Sequence, residues 1–212
     1  MSRLTWNAYG ERFYELGVDR GVLYVASNPG VAWTGLVSVT ERPTGSEPRP
    51  YWIDGVKYLN LRSTEEFEAT IEAFGAPAEF GPCDGESVIH TGLIATQQPR
   101  VPFGVSYRTK VGNDVEGSDH AYKIHIVYNA LAAPPQRANT TIGTSTEPMK
   151  LSWAISTLPP PITGYRRTAH LVVDSRTSDP AVLADVEDLL YGTDIANASL
   201  PTPDDLIALF AP

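Results

Sequence analysis

The sequence predicts a mainly β protein with small flanking helices, and three observations carry that prediction. Glycine and proline, at 17 and 18 residues, punctuate the 212-residue chain into short segments. Short segments bounded by turn residues favour strands. Two stretches alternate with a period of two. Tyr122, Ile124, Ile126 and Tyr128 interleave with Lys123, His125, Val127 and Asn129; Met149, Leu151, Trp153 and Ile155 interleave with Lys150, Ser152, Ala154 and Ser156. Period two places alternate side chains on opposite faces of a strand. Finally, Asp54-Gly55 sits between aromatic and β-branched residues, and Asp-Gly supplies the positive φ angles of a two-residue hairpin turn.

The elements follow in chain order. Residues 22–26 read as a short buried strand, closed by a turn at 27–30, and residues 31–41, rich in Val, Thr and Trp, as the next strand. Three prolines, a glycine and mixed charges make 42–50 an exposed loop. Residues 51–59 form the hairpin around Asp54-Gly55. Residues 63–74 admit two readings. Ser63 with Glu66 makes a capping-box pattern, and Phe67, Ile71 and Phe74 share a helical stripe. The same residues also alternate, with Phe67, Ala69, Ile71 and Ala73 opposite Glu66, Glu68, Thr70 and Glu72. Taken alone, they favour the helix. Residues 86–98 are weakly patterned. A strand over 103–111 leads through a loop at 112–119 to a stronger strand over 122–131, then a polar loop at 133–148 and a strand from 149. Pro159-Pro160-Pro161 is a break, because three missing N–H donors cannot sit in a ladder. Residues 168–177 read as a strand. Asp179 caps a helix that Gly192 stops, and a second short helix starts at Pro203 with Asp204 and Asp205 in its first turn. The chain thus divides into a β body over 1–178 and a helical appendage over 179–212 on the same domain.

Composition narrows the function. A chain of this length buries about 70% of its unfolded surface, so folding requires no disulfide or metal. The single cysteine, Cys83, reads as a small hydrophobe in a turn. The first 17 residues lack the apolar core of a signal peptide, and no run approaches a membrane span. Those features predict folding in a cytoplasm. The net charge of −9 argues against gripping nucleic acid, because that affinity comes from Lys and Arg neutralising phosphates.

The residues give little chemistry. No phosphate loop, GxGxxG, CxxC, HExxH or GxSxG occurs. His120 and His125 are five apart and fall on opposite faces of a strand, a poor start for a shared metal. His170 and Asp174 share a strand face and read as a solvated or cross-strand pair. Asn139-Thr140-Thr141 and Asn197-Ala198-Ser199 match the glycosylation sequon and read as polar loops. Glu66, Glu68 and Glu72 form the one constellation of interest. As a glycosidase pair they lack a buried, pKa-raising pocket, which leaves a solvated face or an electrostatic lining. No catalytic residue, cofactor or metal is expected.

Several stretches together resemble the major tail tube proteins of long-tailed phages that infect actinobacteria. They are Gly10-Glu11-Arg12-Phe13-Tyr14-Glu15 with Gly17-Val18-Asp19-Arg20-Gly21-Val22-Leu23-Tyr24, and Gly30-Val31-Ala32-Trp33 with Gly35-Leu36. Asp54-Gly55-Val56-Lys57-Tyr58-Leu59-Asn60 and Glu66-Phe67-Glu68-Ala69-Thr70-Ile71 follow, then Gln98-Pro99-Arg100, Pro102-Phe103-Gly104 and Ser106-Tyr107-Arg108. Tyr122-Lys123-Ile124-His125, Tyr128-Asn129-Ala130-Leu131 and Thr168-Ala169-His170-Leu171 complete the set. The resemblance covers nearly the whole chain in order, and none of its motifs is catalytic.

The resemblance implies a tail-tube-type β-sandwich or half-barrel with a small flanking helix, and a strand rather than a helix over 66–73. It implies a homo-oligomer: six subunits join their sheets into a ring, and rings stack into a tube in a virion tail assembled in the host cytoplasm. The implied partners are the tape measure, tail terminator and distal tail proteins, with DNA passing without adhering and no membrane involved. Six copies at −9 carry −54 per ring, and a carboxylate-lined lumen repels phosphates. Glu66, Glu68 and Glu72 are the expected lumen lining. Arg42, Glu47, Arg49, Asn113, Asp114 and Glu116, in the loops at 42–50 and 112–119, are candidates for contacts between rings, together with the N-terminal arm. Two alternatives stay open. One is another virion subunit, such as a tail terminator, minor tail or capsid decoration protein. The other is a β-sandwich hydrolase or carbohydrate-binding module.

Overall fold

The computed structural model describes residues 3–26, 28–45, 48–61, 64–141 and 148–211. Eight strands form one antiparallel sheet: β1 (Tyr14–Tyr24), β2 (Val31–Ala32), β3 (Leu36–Glu41), β6 (Glu68–Ala73), β9 (Phe103–Asn113), β10 (Gly117–Ala132), β11 (Leu151–Thr157) and β12 (His170–Asp174). Two separate hairpins pair β4 (Arg49–Ile53) with β5 (Val56–Leu61), and β7 (Ser87–His90) with β8 (Leu93–Ala95). The main sheet runs β2-β1-β9-β10-β11-β6-β3, and β12 adds to β10. The predicted mainly β class holds.

β10 is the spine of the sheet. Its first part pairs with β9 on one side and β12 on the other, and Ala130 to Ala132 then pair with β11. A bulge between Val127 and Ala130, with Asn129 at φ 48°, separates these two stretches. Bulges increase twist and bend the strand. β1 bends through two further irregularities, between Leu16 and Asp19 and between Asp19 and Val22. The sheet curls until β3 approaches β1, where the Leu36 side chain lies over Gly21. It stops short of a barrel, because β1 and β3 form no ladder among the described residues.

Curling gives the sheet a concave and a convex face. The concave face holds the larger core: Leu23, Val105, Tyr107, Val127, Ile71, Trp153 and Ile155, plugged by Phe80 and Cys83 of a 3-10 helix, Ala78–Asp84. Trp33, Phe80, Trp153 and Phe103 pack ring against ring at centroid distances of 4.8–5.8 Å. Truncating any one of such aromatics costs roughly 3–5 kcal/mol. Part of the convex face, over β1, β10 and β12, is covered by helices α1 (Pro180–Tyr191) and α2 (Pro203–Phe210). Tyr24 ties them down: its hydroxyl donates to Leu190 O at 2.7 Å and meets Ser106 Oγ at 3.0 Å.

Both helices start where the sequence places them. Asp179 accepts from Ala181 N–H, and Thr202 forms a reciprocal capping box with Asp205. Four expectations change. Residues 31–41 are two strands, because Trp33 turns into the core, donates its indole N–H to Gly75 O at 2.9 Å and interrupts the ladder. The 112–119 loop shrinks to a tight turn, since β9 runs to Asn113 and β10 resumes at Gly117. Residues 86–98 contain a hairpin. The helix favoured by residues 63–74 alone is overruled over Glu68–Ala73 by pairing with both β3 and β11, and the strand implied by the resemblance forms there.

Candidate assembly surface

Among the described residues, no helix covers the convex face over β3, β6 and β11. On β6, Ala69, Ile71 and Ala73 are buried, so Glu68, Thr70 and Glu72 face outward. The register places Ser38 and Thr40 of β3 beside Glu72 and Thr70. On the other side, Ser152, Ala154 and Ser156 of β11 lie beside Glu72, Thr70 and Glu68. Ser38 Oγ donates to Glu72 Oε2 at 3.0 Å. These three strands contain no Lys or Arg. The result is a face of small and hydroxylated side chains with two carboxylates. Glu66 lies just before the strand; it is exposed, and its backbone exchanges hydrogen bonds with Thr44 at 2.7 and 2.8 Å.

A second surface is apolar. Every residue of β4 and β5 is exposed. Tyr51, Trp52, Ile53, Val56, Tyr58, Leu59 and Leu61 are each 46–67% accessible. The turn is the predicted one, with Asp54 at φ 51° and Gly55 at φ 74°. Val88, Ile89, Leu93 and Ile94 of the β7–β8 hairpin are likewise exposed, as are Leu4, Trp6 and Tyr9 near the N-terminus. An isolated two-stranded hairpin is marginal in water, and contiguous exposed apolar surface marks an interaction site. Between β12 and α2, a groove of about 980 Å³ is lined by Leu171, Val172, Leu206, Ile207 and Phe210.

The six candidate ring-contact residues fall in different settings. Arg42 and Arg49 are exposed, and Arg42 N–H donates to Glu68 O. Glu47 lies outside the described residues. Asn113 is buried, and its Oδ1 accepts from the backbone N–H of Val115 and Glu116, which shapes the β9–β10 turn. Asp114 accepts from Gly10 N–H at 3.0 Å and holds the N-terminal arm. Glu116 is exposed and meets His120 Nδ1 at 2.6 Å.

A third feature was not legible in the sequence. Glu41, His125 and His170, from β3, β10 and β12, converge at the mouth of the curled sheet. His125 Nδ1 lies 3.1 Å from His170 Nε2 and 3.3 Å from Glu41 Oε1. Thr109 Oγ1 meets His125 Nε2 at 3.0 Å, and Tyr107 OH donates to Glu41 Oε1 at 2.7 Å. The hydrogen bond from His125 holds the Glu41 carboxyl down at about 2, against the opposing effect of burial. Burial pushes His170 down to about 4. His170 and Asp174 do not form the pair their spacing suggests; Asp174 instead binds Arg176 through both carboxylate oxygens. His120 stands apart from His125, as their spacing predicts.

No family model matches the chain, and no curated protein matches it. Solved structures with a related arrangement include a chain of the anti-feeding prophage baseplate determined by cryo-EM. It has a TM-score of 0.39 and 11% identity, over 80% of this chain and 97% of that one. Another is a chain of the sheath–tube complex of an extracellular contractile injection system in its extended state. Its TM-score is 0.35 at 11% identity, over 73% of this chain and 88% of that one. Likeness this loose transfers no function.

Proposed function

We propose that this chain is a self-assembling structural subunit, the major tube protein of a long-tailed phage tail. The observation that carries the reading is the free-standing β4–β5 hairpin, apolar on both faces and without a partner strand beyond its own mate among the described residues. Such a hairpin is completed by burial against another copy. Head-to-tail contacts between identical subunits close a ring when the rotation closes. In this reading six copies form the ring and rings stack into a tube. Glu66, Glu68 and Glu72 face the lumen, and Arg42, Arg49 and Glu116 sit at the ring-to-ring boundary.

The bare face suits a conduit. Its three strands carry no cation and only small or acidic outward side chains, with Arg42, Lys150 and Phe74 at their ends, so the middle of the face offers little to neutralise a phosphate or stack on a base. The sequence resemblance to tail tube proteins points the same way. Electron microscopy and native mass spectrometry of the purified full chain test the proposal. Rings of six or long hollow polymers are expected. A chain that stays monomeric at every concentration, with no ring in the images, removes the proposal. A tube with Glu68 and Glu72 on its outer wall removes the lumen assignment.

A further inference from the structure

We propose that Glu41, His125 and His170 form a binding site for a divalent transition metal such as Zn²⁺, which staples β3 to β10 and β12. The argument begins with lone pairs. In a neutral His125, one proton at Nδ1 faces two acceptors, His170 Nε2 at 3.1 Å and Glu41 Oε1 at 3.3 Å. One proton cannot satisfy both well, whereas a cation among the three atoms satisfies all of them. Tetrahedral zinc with nitrogen ligands at about 2.0–2.1 Å separates its ligand atoms by about 3.3 Å. Two of the three separations match that value. The third, within 4.8 Å, closes when the half-exposed Glu41 side chain rotates, with a small turn of the His170 ring on its edge strand.

The surroundings support the same donors. When metal takes Nδ1 of His125, the ring proton resides on Nε2 and donates to Thr109 Oγ1 at 3.0 Å. The imidazole stays neutral, and no proton leaves the ring. An outer hydrogen bond of that kind fixes ring orientation at metal sites. Tyr107 OH orients Glu41, the Tyr107 ring stacks on His125 at 4.7 Å, and Phe67 packs on His170 at 4.4 Å. Two imidazoles and one carboxylate select zinc-like ions over calcium or magnesium, which prefer all-oxygen sites. His170 also lines a groove of about 340 Å³ beside Phe67, Thr64 and Arg167, where a water can complete the coordination.

Bound metal would link β3, one end of the curled sheet, to β10 and β12 in its middle. The inference is independent of the tube assignment, because its test reads the single subunit. The chain is treated with EDTA, dialysed and titrated with CoCl2, then competed with ZnCl2. The wild type is expected to show the visible absorption of four-coordinate cobalt at one equivalent, and zinc should erase it. At a hundredfold excess over Kd, Zn²⁺ should raise Tm by about 5–10 °C. Glu41→Gln keeps the oxygen that Tyr107 donates to and should weaken binding at least tenfold; His170→Ala should abolish it. His120→Ala, which removes the other imidazole–carboxylate pair, should bind like the wild type. Absence of cobalt absorption, or equal binding by Glu41→Gln and His170→Ala, overturns the proposal and leaves a proton-only network.

Discussion

At the scale of single residues, the side chains that fix geometry differ in how their polar atoms are met. Trp33 and Trp153 sit in one aromatic cluster, but only Trp33 gives its indole N–H a partner, Gly75 O; the Trp153 N–H is buried without one among the described residues. Losing a bonded donor leaves Gly75 O unmet, at about 1–2 kcal/mol, whereas losing an unmet donor removes a liability. Trp33→Phe is therefore expected to lower stability in urea melts by about 1–2 kcal/mol more than Trp153→Phe; equal losses would mean that a water serves Trp153. Asp19 binds Arg108 through two hydrogen bonds of 2.7 Å, and Arg108 also covers the Tyr122 ring at 4.9 Å. The guanidinium holds the Asp19 carboxyl below its ordinary 3.8. The folded chain thus resists a proton that the unfolded chain accepts. The resulting stability is complete above the ordinary value and is lost as pH falls through the lowered one. Asp19→Asn should cost about 1 kcal/mol at neutral pH, a figure reduced for the partial exposure of the carboxylate. Its Tm should also fall less steeply than the wild type's below about pH 4. Residue pairs are the scale at which the sequence is least legible. Glu41, His125 and His170 lie on three strands, and nothing in their spacing announces that curling brings them together.

At the scale of elements, legibility follows how local the determining chemistry is. The β4–β5 turn and both helix starts are written in adjacent residues: Asp54-Gly55, Asp179 with Pro180, and Thr202 with Pro203. β7–β8 was missed because Ser87–His90 and Leu93–Ala95 neither alternate nor bury an apolar face. β6 was ambiguous because Glu68–Ala73 satisfies both periods, and only partners from β3 and β11 decide between them. The hairpins present the sharpest test at this scale. Trp52 and Tyr58 are 63% and 67% exposed, so a charge there costs the isolated subunit little. Trp52→Glu or Tyr58→Glu is expected to leave Tm within about 2 °C of the wild type, while size-exclusion chromatography shows polymer formation lost. Normal polymers from both variants would move the assembly contact elsewhere.

At the scale of the whole molecule, the curled sheet separates its duties by face: concave for the main core, half of the convex side for the helices, and the other half bare. The mainly β class and the helical C-terminus were legible, because alternation and capping are local. The division of the convex face was not, because it depends on strand order. If the bare face lines a conduit, Glu68→Lys with Glu72→Lys should keep assembly intact and make tubes retain short duplex DNA. Gel-shift assays should then show that retention weakening as salt rises, against none for the wild type. The position of β10 also has a consequence in time. Its partner β9 is reached through the turn from Asn113 to Gly117, and β3 reaches β6 across one intervening loop and hairpin, whereas Leu151 of β11 must find Ala73 and Leu23 of β1 must find Val105 over far longer stretches of chain. Short loops close before long ones. Pulsed hydrogen exchange during refolding should protect the amides between β9 and β10 first, and those between β6 and β11 and between β1 and β9 last. The non-adhesive surface would then be whole only once its β6–β11 seam closes, late in each new subunit, so a chain becomes fit to join a neighbour only when its folding is complete.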